Sequence, residues 1–240
     1  MCRVRSILLS LVAVMLVGAV AALAASAAIE FKWKVGGAEL KSGESKEFTV
    51  NNDSKKFDAH LEVFGGVESL LLSTSVKVEP GAKIIGGVPG TNEETVVFSG
   101  VTADLPANCA ILQNGVAGTV KTTPIKTEIV EGAIAGVGNS EVDILFTPKT
   151  GTTFATFEYT GASCGLNGVV APVTGSVLAL ALPQKTEVLR QNLVFEANTK
   201  EYHNRAGTFA KAKLELAREP ATITGLVLVI LNSDQVFGPF

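Results

Sequence analysis

The chain has 240 residues, 47% of them hydrophobic and 6% aromatic, and its 20 basic and 23 acidic residues give a formal net charge of −3. No basic stripe or like-charge block runs through it, which argues against a nucleic-acid or anionic-lipid footprint, and a mild negative charge favours solubility without naming a partner. The length suffices for one large β domain or two small ones around a buried core.

Residues 1–28 read MCRVRSILLSLVAVMLVGAVAALAASAA. Arg3 and Arg5 make a short basic start, Ile7 to Leu23 is apolar and unbroken by charge, and Ala25-Ser26-Ala27 is a small-x-small cleavage signal. The pattern predicts a secretory signal peptide over 1–27. The alternative is a retained membrane anchor, because the apolar run is nearly long enough to span; the Ala-rich end suits a peptidase better than lipid. Arg3 and Arg5 are not adjacent, against a twin-arginine signal, and Cys2 precedes the apolar core, so it leaves with the signal and is no lipidated cysteine. The two arginines leave as well, making the mature chain more acidic.

From residue 28 to 240 one β-rich domain is expected, with strict alternation as its dominant pattern. In FKWKV, Phe31, Trp33 and Val35 share one face and Lys32 and Lys34 the other. In FDAHLEVF, Phe57, Ala59, Leu61 and Val63 alternate with Asp58, His60 and Glu62. Period two marks a half-buried strand. TVVFSG, EVDILFT, TFATFEY, GSVLALAL, NLVFEA and TGLVLVIL continue in the same manner, rich in Val, Thr, Phe and Leu. Turn clusters stand between strands: NNDSKK, EPGA, VPGTNEE, TPKTGT, SCGLNG and NSDQ. TADLPAN offers a weak lobe boundary near 103–108. AGTFAKAKLELAREP contains good helix formers ended before Pro220, yet Ala212, Leu214 and Leu216 alternate with Lys211, Lys213 and Glu215, so we read a strand. The fold class is therefore all-β: an antiparallel β-sandwich or barrel.

Glycines recur within apolar runs, at Gly118, Gly136, Gly175 and Gly225. Such glycines mark bulges, bends or close backbone approach; their irregular spacing does not support a solenoid, and sheet curvature is the plain reading.

After signal removal two cysteines remain, Cys109 and Cys164. An even count in an exported chain predicts a disulfide. The competing reading makes Cys164 a thiolate nucleophile served by His60 or His203; an oxidising compartment with a second thiol argues against it. Two cysteines and two distant histidines without CxxC or HxxxH spacing do not make a zinc site.

The stretches NCAI, GTVKTTPIKTEIV, FTPKTGTTFATFEYTGASCGLNG, VTGSVLALA, LVFEANTKEYHN and ATITGLVLVIL together resemble a group of secreted, β-rich proteins of soil actinobacteria of the Solirubrobacter type, over about residues 57–235. The resemblance implies export and a β fold and carries over no activity, cofactor or site residue. The group tends to have a further cysteine pair upstream; SLLLSTS and FSGVTA, at the corresponding places here, have none.

A search for chemistry finds no GxSxG elbow, no phosphate loop after the Gly-Gly pairs, and no HExxH. Glu93 and Glu94 fall in a turn-like stretch and are expected to be solvated; on a strand they would point to opposite faces. His60 is expected on the polar face of its strand beside Asp58 and Glu62, and His203 in a polar hairpin-like turn where Tyr202, His203 and Asn204 could form a small binding loop. Asn51–Ser54 and Asn232–Asp234 offer calcium oxygens without a known loop spacing. Trp33 reads as a core or edge anchor rather than a sugar platform. Phe240 brings to mind outer-membrane barrels, which the low aromatic content and Gly238-Pro239 disfavour. Leu182-Pro183-Gln184-Lys185-Thr186 has the wrong spacing for a wall anchor.

No catalytic residue, cofactor or metal is expected. The function expected is that of an exported, non-catalytic protein with a structural or adhesive role at the cell envelope or outside it. The alternative is a small-ligand or glycan binding module housed in a barrel mouth or at the loop ends of a sandwich. The third reading is a secreted hydrolase with an unrecognised site.

Overall fold

The computed structural model describes residues 31–52, 59–63, 68–133, 140–195, 201–203 and 209–240. The expected signal peptide (1–27), Asn204 and Gly136 lie outside them. In chain order the strands are β1 (Trp33–Val35), β2 (Ala38–Glu39), β3 (Ser45–Asn51), β4 (Ala59–Val63), β5 (Ser69–Ser73), β6 (Ser75–Val78), β7 (Lys83–Ile85), β8 (Thr91–Glu94), β9 (Val96–Ser99), β10 (Thr102–Leu105), β11 (Ala110–Gln113) and β12 (Val116–Ala117). The second half holds β13 (Thr119–Lys121), β14 (Ile125–Ala133), β15 (Ser140–Pro148), β16 (Thr153–Thr160), β17 (Val170–Gly175), β18 (Val177–Leu182), β19 (Gln191–Phe195), β20 (Glu201–His203), β21 (Phe209–Lys211), β22 (Leu214–Leu216), β23 (Glu219–Leu231) and β24 (Phe237–Pro239). From Phe209 onward the stretch AGTFAKAKLELAREP is strand and turn, its reversal made at Ala217 and Arg218, both at positive φ.

Of the two architectures left open by the sequence, the barrel is the one adopted. Going round the first ring, β3, β7, β8, β14, β15, β18, β19 and β23 pair in succession, and β23 returns to β3. All eight pairings are antiparallel, so the ring has no free edge to protect. A second eight-stranded ring runs β4, β5, β10, β11, β16, β17, β22 and β23, and closes from β23 onto β4. Its weakest link is the single pair Thr102↔Ala110 between β10 and β11.

The two rings share β23. Ala221–Thr224 pairs with β4, and Leu228–Leu231 pairs with β3. Gly225, at φ 149°, stands at the changeover. A second passage between rings is made at Gly175, at φ 111°, where β17 ends and β18 begins. A Cβ on Gly175 would fall onto the Lys213 carbonyl oxygen. At these two sites the glycine requirement is therefore the redirection of chain from one ring to the other, a stronger demand than gentle curvature.

The alternation expected from sequence decides which side chains fill the rings. On β3, Phe48 and Val50 are buried while Ser45, Glu47, Thr49 and Asn51 are exposed. This polarity, apolar inside and polar outside, is opposite to that of a barrel whose outer band meets lipid. One hydrophobic cluster runs through both rings, from Trp33 and Phe237 to Ile111 and Ala171. The sheet β2–β1–β24 lies against the first ring; Trp33 packs over Gly90 and its indole Nε1–H donates to the Thr91 carbonyl at 3.2 Å. A third sheet, β13–β9–β6, sets Val120, Phe98 and Val76 in one register row beside the interior. On the outer face a smaller cluster of Val130, Leu145, Leu178 and Ala212 is packed by Tyr202.

Candidate functional site

A cavity of about 160 Å³ lies where the two rings open into each other. Its walls come from both rings and from the β13–β9–β6 sheet: Phe48 and Phe146 on the first ring, Leu71 and Phe157 on the second, and Phe98 and Val120 from the sheet. Among the described residues no lysine or arginine lines the cavity. The site exists because β23 changes partners. Its ladder with β4 ends at Thr224 and its ladder with β3 begins at Leu228. The half-buried apolar residues Ala59, Leu61, Phe195 and Ile223 lie along this seam.

Two polar side chains interrupt the apolar lining on one strand. In β8 the burial alternates so that Asn92 and Glu94 face inward, 4% and 8% exposed, while Thr91 and Glu93 face outward. Asn92 sits opposite Thr127, and Glu94 opposite Ile125. Among the described residues neither the Asn92 Oδ1 nor the Thr127 hydroxyl has a hydrogen-bond partner. Among the described residues the Glu94 carboxyl has no ion pair or hydrogen bond; burial alone pushes its pKa up to about 7. The neighbouring polar wall groups are already engaged. Thr122 Oγ1 accepts the Val96 N–H at 2.9 Å. The Ser73 hydroxyl is within 3.0 Å of both the Ser75 and Ser99 carbonyl oxygens. Buried polar atoms are ordinarily paired, and an ionised carboxylate in an apolar wall is costly. Asn92 and Glu94 therefore stand out as groups equipped to meet something in the cavity.

This corrects the expectation that Glu93 and Glu94 are solvated in a turn. They occupy a strand and point apart. Glu93 lies outside between Lys149, at 2.8 Å, and Lys83, at 3.8 Å. The Lys149 hydrogen bond holds the Glu93 carboxyl below its ordinary range.

The other residues singled out by sequence are dispersed. Cys109 and Cys164 form a disulfide with Cα atoms 4.6 Å apart and a sequence separation of 55. A bridged Cys164 is no nucleophile, and a disulfide is consistent with an oxidising, extracytoplasmic setting. His60 lies on β4 with Nδ1 3.7 Å from Glu62 Oε1, and it also lines the cavity. His203 is in a strand rather than a turn, because its backbone pairs with Glu131 on β14 and Phe209 on β21. Its Nδ1 is 2.8 Å from Glu131 Oε2, and its ring lies 3.9 Å from the Phe209 centroid. The two histidines are not brought together, and among the described residues no hydroxyl or thiol is hydrogen-bonded to either ring. Trp33 is a core anchor, 2% exposed. Phe240 pairs its backbone with Lys32, and the Lys34 ammonium stands 4.1 Å from its ring centroid. Asn232–Asp234 forms a turn in which Asn232 Nδ2 approaches Glu47 Oε2 at 3.4 Å; among the described residues no cluster of His, Cys, Asp and Glu is arranged to hold a metal.

The sequence missed Asn92 and placed Glu94 in solvent. The signal was present: the alternation of Val96 and Phe98 in TVVFSG extends backward to Glu94 and Asn92, and all four line the cavity. Polar residues in TNEE disguised a strand as a turn. Gln184 was also missed. Its amide accepts the Val142 N–H at 2.6 Å and donates to the Val142 carbonyl at 3.1 Å, so one side chain finishes the edge of β15 as a neighbouring strand would.

Comparison with known proteins finds no family model, no curated protein and no solved structure that matches the chain.

Proposed function

We propose that this protein is an exported, non-catalytic binding module that takes a small, mainly apolar molecule into the cavity between its two rings. The observation that carries this reading is the pair of inward polar side chains, Asn92 and Glu94, whose Oδ1 and carboxyl have no partner among the described residues, set in a mainly apolar chamber. A scaffold selected only for rigidity would be more stable with apolar residues at both positions. Destabilising polar groups kept at a cavity are a mark of function. An apolar cavity of about 150 Å³ accommodates a benzene-sized guest, which sets the size of ligand. Export draws on the signal-like residues 1–27 and on the Cys109–Cys164 bridge. A structural or adhesive role at the cell envelope draws on the same closed, disulfide-tied framework but leaves Glu94 without a task.

The test is ligand-observed fluorine NMR with fluorobenzene on the full mature chain. Binding should broaden and shift the fluorine resonance. Ala155, which lines the cavity and is 5% exposed, supplies the control: Ala155→Leu should fill the space and abolish binding while circular dichroism remains that of the folded protein. A resonance unaffected by wild-type protein at millimolar concentration, or equal binding by folded Ala155→Leu, would overturn the proposal.

A further inference from the structure

The cavity's polar wall has a chemical sense that narrows the class of ligand, and any such narrowing rests on the proposal that the cavity takes a small molecule. Asn92 Oδ1 is an acceptor without a donor. Glu94, two residues along the same inward face, offers carboxylate oxygens without a cation. The two side chains are not hydrogen-bonded to each other. Their potential partners in the protein are committed elsewhere: Lys83 and Lys149 lie with Glu93 on the opposite face of β8. Thr122 Oγ1 accepts a backbone N–H, and the Ser73 hydroxyl turns to backbone carbonyls. The wall thus presents the Glu94 carboxyl without a countercharge beside the Asn92 amide, and among the described residues it carries no lysine or arginine.

We infer that the cavity binds a small primary amine, with its ammonium group against the Glu94 carboxylate and its hydrocarbon body among Phe48, Phe146 and Phe157. An ammonium carries donors and no acceptor, so it suits the Glu94 carboxylate and supplies the countercharge that a buried carboxylate needs. A carboxylate ligand would set acceptor against acceptor. An alcohol would satisfy one hydrogen bond and leave the charge unmatched. The volume limits the body to about one aromatic ring or a short alkyl chain.

The titration of Glu94 gives the amine a pH signature. Nothing facing it from β14 or β7 is charged: Ile125 is its partner on β14, and Lys83 on β7 is turned outward with Glu93. His60 is the one other titratable residue lining the cavity, and its Nδ1 lies toward Glu62. With the Glu94 pKa at about 7, the ionised fraction falls roughly a hundredfold between about pH 8 and about pH 5, and amine affinity should fall with it.

The experiment titrates benzylamine, benzyl alcohol and toluene into the full mature chain by calorimetry or by competition against fluorobenzene. At about pH 8 benzylamine should bind at least tenfold more tightly than benzyl alcohol or toluene. It should weaken by about a hundredfold at about pH 5, while toluene is unchanged. Glu94→Gln should remove the benzylamine preference and keep toluene binding; His60→Gln should keep both the preference and its pH dependence. If Glu94→Gln is poorly folded, the wild-type pH series carries the same decision. Benzylamine binding no tighter than toluene, or a preference that survives Glu94→Gln, overturns the amine assignment and leaves the cavity reading intact. If neither toluene nor fluorobenzene binds, the cavity reading falls and the amine assignment with it.

Discussion

Glu94→Gln should make the protein more stable, and by an amount that depends on pH. In the unfolded chain the carboxyl ionises near its ordinary value of 4.5; in the folded protein burial raises that to about 7. Between these two values the native state holds a proton that the unfolded state has released. Fewer protons bound in the unfolded state means that stability falls as pH rises. At 1.36 kcal/mol per pKa unit, the loss accumulates to about 3 kcal/mol by the time pH passes the folded value. Glutamine has nearly the shape of the protonated carboxyl and does not titrate. The unfolding free energies of variant and wild type should therefore agree near pH 4.5 and diverge until Glu94→Gln leads by about 3 kcal/mol above pH 7.5. Urea denaturation followed by circular dichroism at a series of pH values measures the difference directly, and the titration of all other groups cancels between the two proteins. A difference that stays constant with pH would refute the reasoning, since Glu94 would then have the same proton affinity folded and unfolded.

Removing the disulfide as Cys109→Ser with Cys164→Ser should cost about 4 kcal/mol in urea denaturation, from the entropy of opening a closed loop of 55 residues; thiol titration of the denatured, unreduced mature chain should find no free sulfhydryl. Gly175→Ala should cost on the order of 3 kcal/mol or prevent folding, since it combines a left-handed φ with a side chain driven into the Lys213 carbonyl; a thermal midpoint equal to wild type would remove the assigned role in the passage between rings. Gln184→Ala should cost about 1–3 kcal/mol by leaving the Val142 N–H and carbonyl without their partner, and hydrogen exchange at Val142 should speed up more than at Ile144.

Much of the fold was legible because a strand writes its two faces into alternate residues. Phe31, Trp33 and Val35 are buried between half-buried lysines as FKWKV requires. Ala212, Leu214 and Leu216 defeated the helix-forming composition around them, and the latter two face the core on β22. The disulfide was legible because, once the signal-like residues 1–27 are set aside, two cysteines remain and two admit one pairing. The candidate site was barely legible. Asn92 and Glu94 sit in a polar, turn-like string, and inward and outward positions on a strand alternate whatever the residue types are; local polarity pointed one way and the pleat the other. Gly175 and Gly225 announced unusual backbone, but their task of leading the chain between rings depends on strands far away in sequence.

By itself, then, the order of residues determined strand character, the inward set of apolar side chains and the single cysteine pairing, all of which arise from local geometry or simple counting. Only the tertiary structure decided that the strands close into two rings sharing β23, and that Glu94 is shut away from water while Glu93 is not. Closure is a sum over pairings such as Leu231↔Phe48 that span most of the chain, and desolvation is set by what surrounds a group in space. Neither quantity is carried by any short stretch of sequence.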